Sequence, residues 1–148
     1  MLEILNLLGA MFVDDDDIPK GTPPTGLTGV YLEPVGSAIG NPPFVTIRIL
    51  HFQPNINLPG MGTLFFDIKA HDLDQAAAIE TLTHISETYP IPLVNRDGIV
   101  GDNYRCDELH FIDTQFMDKP MLTPQGGADH YMPLTAWAVI KPVGISSP

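Results

Sequence analysis

Five histidines, one cysteine and a run of four aspartates are the residues of this 148-residue chain whose types could do chemistry. The histidines are His51, His71, His84, His110 and His130, and no HExxH or His-x-His pair places two of them where they would fix a metal geometry. His71-Asp72 comes nearest to a metal pair, but His71 closes a strand pattern and Asp72 reads as a helix cap. His84 falls on the polar face of a helix and reads as solvated. His110 alternates with Leu109 and Phe111 and belongs to the less buried face of a strand. A catalytic cysteine needs a histidine and an electropositive setting, and Asp107 and Glu108 beside Cys106 push the other way. "GSAIG" at Gly36 to Gly40 lacks the Gly-x-Ser-x-Gly spacing of a strained nucleophile elbow. Gly60-Met61-Gly62 leads into a strand, the reverse of a phosphate loop, whose glycines open a helix. Asp14 to Asp17 repel one another and point in alternating directions, which suits a solvated acidic loop better than a cation cage. These residues predict no catalytic group, no metal and no cofactor.

The elements around them explain the spacing. From Leu64 to Ala70 the apolar residues alternate, with Leu64, Phe66, Ile68 and Ala70 on one side, Asp67, Lys69 and His71 on the other, and Phe65 as the exception. That is a strand with one buried face. After Asp72 the period becomes helical: Ala78, Leu82, Ile85 and Tyr89, flanked by Ile79, oppose Glu80, Thr83, His84 and Glu87. Asp72 with Gln75 resembles a capping box, and Tyr89-Pro90 ends the helix. A connection this short folds the helix back over its own sheet.

"MLEILNLLGAMF" predicts a short N-terminal amphipathic helix that packs Ile4, Leu5, Leu8, Met11 and Phe12. It has no basic leader, no cleavage site and too few residues to span a bilayer, so neither a signal peptide nor a membrane anchor is expected. An acidic, Pro-rich segment at about residues 14–26 reads as a flexible linker or loop. "LTGVYLEP" and "NPPFVTIRILHF" predict strands, the second with Val45, Ile47, Ile49 and His51 on one side. "QPNINLPGMG" then makes a hairpin with a projecting loop. One or two strands follow around Tyr104 to Met117, then a Pro/Gly loop from Lys119 to His130. The final strand, "YMPLTAWAVIKPV", puts Thr135, Trp137 and Val139 on one side. The predicted fold is α+β and a single domain over residues 1–148. A small antiparallel or mixed sheet carries a long hairpin, one main helix packs on it, and a short helix precedes it.

Composition narrows the partners. Eighteen carboxylates against seven Lys and Arg give a formal net charge of −11, which argues against gripping a nucleic-acid backbone. It is compatible with lining a passage through which nucleic acid slides. With one cysteine no internal disulfide can form, and an intracellular folding environment is the expectation. Fifteen prolines, mostly in the connections, hold those connections extended.

In element order from Phe44 to Lys141 the chain resembles the tail terminator proteins of long-tailed bacteriophages. The resemblance rests on Asp72, Asp74, Ala77, Ile79, Ile85, Tyr89 and Pro90 in the strand-to-helix unit. Near the C-terminus it rests on Thr135, Trp137, Val139 and Ile140. The Pro-rich segment after the first helix and the loop from Lys119 to His130 depart from the family pattern. The resemblance implies a structural virion protein without catalytic residues, assembled in the bacterial cytoplasm and placed at the tail–neck junction. It implies a hexameric ring that caps the tail tube, stops its growth and meets the neck or connector proteins, and the sheath where the tail contracts. DNA would pass through the bore without specific binding, and no membrane is involved. Two alternatives stand beside it. One is another phage neck, tail-completion or tail tube protein. The other is a small soluble α+β enzyme or ligand-binding domain that uses His51 and His71.

Overall fold

The alternating run that begins at Gly62 is the spine of a mixed sheet. A computed structural model describes residues 2–15, 27, 29–32, 44–72, 75–91, 98–112, 121–122 and 128–143, with the backbone alone at 75, 121–122 and 128–133. In chain order the elements are α1 (Leu2–Asp14), β1 (Val30–Leu32), β2 (Phe44–Pro54), β3 (Gly62–Asp72) and α2 (Gln75–Thr88). They continue with β4 (Ile99–Val100), β5 (Tyr104–Phe111), β6 (Met121–Leu122) and β7 (Ala128–Pro142). The sheet order is β1-β2-β3-β7-β5-β4, with β6 paired to β7 beside that path. Only β1 and β2 run parallel. This is the α+β arrangement that the sequence predicts, with the main helix packed on the sheet.

Both helices cover the same face of the sheet. β3 turns Leu64, Phe66, Ile68 and Ala70 inward, and β7 turns in Leu134, Ala136, Ala138 and Ile140. In the ladder Phe66 faces Ala136 and Leu64 faces Ala138, so a large side chain meets a small one and room is left for α2. α2 fills it with Ala78, Leu82 and Ile85, and Tyr89 follows just past the helix end. α1 adds Ile4, Leu5, Leu8 and Phe12, with Met11 partly buried beside them. Gly9 lets α1 approach β1 closely, because a Cβ there would lie 3.1 Å from Val30 Cγ1. Full burial of each Leu, Ile or Phe contributes roughly 1.5–3 kcal/mol.

α1 is tied down at both ends. At its start Glu3 Oε1 accepts the backbone N–H groups of Asn103 (3.0 Å) and Tyr104 (3.1 Å), and Oε2 accepts the Asn103 amide (3.2 Å). These donors, the Asn103 N–H first, hold the Glu3 carboxyl below the ordinary carboxylate value. At its end Asp15 Oδ2 lies 2.8 Å from His84 Nε2 and accepts the Tyr89 hydroxyl at 2.7 Å. The Tyr89 ring meets Phe12 edge to face at 4.8 Å.

Several sequence expectations need correction. β2 and β3 extend to Pro54 and Gly62, so the hairpin loop is shorter than the Pro-rich stretch suggests. Within it the Asn57 N–H bonds back to Asn55 Oδ1 at 2.9 Å, and Gly60 supplies a positive φ of 81°. Part of the Lys119–His130 loop is β structure: Met121 and Leu122 pair with Asp129 and Ala128. Asp72 belongs to β3, opposite His130, and stands three positions ahead of Gln75, where α2 begins. Residues 73 and 74, between Asp72 and the start of α2, lie outside the described residues. The acidic segment does not start as a linker either. Asp14 is the last residue of α1, and the Asp15 side chain is held with 13% of its surface exposed.

Candidate functional site

The sheet's second face carries the residues that the core does not use. No helix among the described residues lies on it. Odd-numbered residues of β3 and β7 point to this side: Thr63, Phe65, Asp67, Lys69 and His71 from β3, and Thr135, Trp137, Val139 and Lys141 from β7. β2 contributes Thr46 and Arg48, and β5 contributes Arg105 and His110.

Two bulges decide what else appears there. The β2–β3 register shifts between Ile49 and His51, so Ile49 faces Phe66 on the covered side while His51 faces Phe65 on the other. Strict alternation puts His51 beside Val45, Ile47 and Ile49; the extra residue at Leu50 moves it across the sheet. The β5–β7 register shifts between Cys106 and Glu108, with Asp107 as the extra residue, so Glu108 faces Val139 and His110 faces Trp137 on the open side while Cys106 stays inward.

The outcome is one row of rings across four strands: His51, Phe65, Trp137 and His110. His110 stacks on Trp137 with centroids 4.2 Å apart and planes at 26°, and His51 stacks on Phe65 at 6.2 Å and 27°. His110 is braced by Glu108, whose Oε1 lies 3.2 Å from Nε2. Ion pairs border the row on both sides. On one side Asp67 accepts from Arg48 at 3.2 Å and from the Thr135 hydroxyl at 2.9 Å. On the other, Asp107 is bridged by Arg105 at 2.8 Å and Lys141 at 3.2 Å. The Arg105 guanidinium, then Lys141, holds the Asp107 carboxyl below its ordinary value, and Asp107 in turn raises Arg105. Beyond the row, near the hairpin loop, an open groove of about 400 Å³ runs past Gln53, Asn55, Met61 and Val139.

The five histidines are not brought together. His51 and His71 share a face, but His51 pairs with Phe65, six positions before His71 on β3, or roughly 20 Å at strand rise. His71 lies flat on Phe44, centroids 4.5 Å apart, with Nε2 2.9 Å from the Thr46 hydroxyl. His84 departs from the solvated reading, since its ring reaches Asp15 across 69 positions of chain and is 22% exposed. His130 pairs with Asp72 in the backbone ladder. Gly36 to Gly40, Asp16 and Asp17 lie outside the described residues. No group of three or more His, Cys, Asp or Glu able to hold a metal ion occurs among the described residues. Cys106 is buried, its thiol pushed up to about 11 by desolvation, and its Sγ–H points at the Glu108 carbonyl, 3.1 Å away.

The row as a whole escapes sequence reading, although two of its members carry a signal. Phe65 breaks the alternation of its strand, and Trp137 sits on the side of Thr135 and Val139. An aromatic residue on each of two polar strand faces is what a ring row requires. What alternation cannot supply is the register that sets Phe65 opposite Trp137 or the bulge that adds His51.

Phe65, Trp137 and His110 are half-buried and His51 is exposed, so the row presents ring faces edged by ion pairs at the surface. No helix among the described residues is long and apolar enough to cross a membrane. Searches against protein-family models and against curated proteins return no match to this chain.

Proposed function

We propose that the chain is a structural protein of a bacteriophage virion, a tail terminator whose identical subunits close a hexameric ring on the end of the tail tube. The ring stops tube elongation, contacts the neck proteins, and leaves a bore through which DNA passes.

The observation that carries this reading is the unit from Phe44 to Lys141. A long β2–β3 hairpin leads, two residues after β3, into α2, which lies back on β3 and on the Trp137-bearing β7. That is the element order on which the resemblance to tail terminators rests. Two further features support it. An open sheet face edged by ion pairs provides a surface for subunit contact. The acidic surplus provides a bore to which phosphates do not adhere. The His51/His71 ligand-binding alternative loses support from the separation of those residues along β3.

The test is tube assembly from purified tail tube protein with and without this chain. Growth should stop at a length set by the time of addition. Tubes that elongate at the same rate in its presence would remove the terminator reading and leave the fold untouched. A protein that instead co-assembles along the tube wall belongs to the tube class.

A further inference from the structure

Charge is sorted between the two layers of the fold. α1 and α2, with Asp15 at the end of α1, carry Glu3, Asp14, Asp15, Glu80 and Glu87 and neither Lys nor Arg. The cations among the described residues are Arg48, Lys69, Arg105 and Lys141, and every one projects from a strand on the open face. Among the described side chains, three carboxylates share that face with them: Asp67, Asp107 and Glu108. Among the described residues, every cation thus lies on the ring-bearing sheet face, interleaved with carboxylates, and the helices carry carboxylates alone. The acidic side is not purely polar. On α1 the outward Leu2, Leu7 and Val13 are 51%, 36% and 45% exposed.

We propose that the open sheet face of one copy docks on the helical layer of the next copy, head to tail. The proposal rests on the ring reading and names the contact that builds it. Complementarity selects this occupant. Two helical layers oppose carboxylate with carboxylate, whereas the sheet face holds every described cation and can offer them to the helical carboxylates. Sheet against helices sets Arg48 and Arg105 against carboxylates such as Glu80 and Glu87, with Phe65 and Trp137 free to cover apolar side chains. Each copy uses a different patch on each side, so the contact is heterologous, giving a ring where the rotation per copy closes and an open filament where it does not.

The test is a charge swap read by mass. A sheet variant carries Arg48→Glu and Arg105→Glu, and a helix variant carries Glu80→Lys and Glu87→Lys. Alone, each should self-associate more weakly than wild type by on the order of tenfold or more. Mixed one to one, they should recover closed oligomers in which the variants alternate, because each altered face then meets its complement. If the sheet variant melts early, Arg48→Gln with Arg105→Gln replaces it, with a smaller loss expected. Trp137, the sole tryptophan, reports the same face independently. Its fluorescence should be open to a soluble quencher in dilute wild type and shielded in the oligomer.

Variants that associate like wild type, a mixture that fails to recover, or a Trp137 already shielded in the monomer by its own chain would each overturn the docking. A wild-type monomer at millimolar concentration would do the same. Rings on tail tubes that ignore the swaps remove this contact and keep the terminator reading. Oligomers that obey the swaps but do not cap tubes remove the terminator reading and keep this contact.

Discussion

The two faces of one sheet use the same strands for opposite ends. Under the helices, Leu64, Phe66, Ile68, Leu134, Ala136 and Ala138 are at most 1% exposed. On the other side Phe65 and Trp137 are half-buried, and the residues around them pair by charge. Adjacent residues on β3 therefore answer to different constraints. Phe66 is fixed by packing within the chain, whereas Phe65 sits in a row that a partner surface can complete.

The largest expected effect lies on the covered face. Leu82→Ala should cost roughly 2–5 kcal/mol in denaturant unfolding, because α2 and the sheet close around that side chain. Glu80→Ala, on the exposed side of the same helix, should stay within about 0.5 kcal/mol in dilute monomer. Equal losses would break the distinction between the faces at its root.

Next comes the tie that closes α1 on α2. Asp15→Ala removes the acceptor shared by His84 and the Tyr89 hydroxyl and should cost about 1–3 kcal/mol. Since Tyr89 also bonds the Met11 carbonyl at 3.3 Å, part of its hydrogen bonding survives. Hydrogen exchange should show the loss concentrated at the C-terminal turns of α1 and α2.

Trp137→Ala sharpens the comparison in the other direction. A cross-strand ring pair on an open face is worth about 0.2–1 kcal/mol, so the monomer should lose little stability while self-association falls. A loss as large as that of Leu82→Ala would mean that the second face is also core.

The smallest effect is electrostatic. Glu3 and Asp107 have carboxyls held below their unfolded values, so the folded chain binds fewer protons near them than the unfolded chain does. Their contribution is therefore present above the ordinary carboxylate range, about pH 4, and is lost as pH falls through that range and below it. Asp107→Asn should flatten the acid limb of stability against pH, and added salt should shrink the difference, because the Asp107 side chain is 39% exposed.

Period carried most of the fold into the sequence. The change from two to 3.6 after Asp72 marks β3 and α2 with their buried faces, because one side of each must be apolar. The run Ile4, Leu5, Leu8 and Phe12 marks α1 in the same way. Four things escape it. The bulge at Leu50 has no Gly or Pro to announce it, so alternation puts His51 on the wrong side. The Met121–Leu122 pairing lies in a stretch whose prolines and glycines read as loop. The Asp15–His84 contact joins residues 69 positions apart, and a polar residue on a helix looks solvated until its partner is placed. The ring row failed to show for the same reason as His84, since its meaning lies in pairing and not in any one strand.

The most direct measurement is imaging of tail tubes mixed with the purified protein, combined with the mass of what is bound. The account predicts one closed ring of identical subunits, with a mass of six copies, at one end of each tube, and no decoration along the wall. Tubes with both ends bare, or protein distributed along their length, would contradict it.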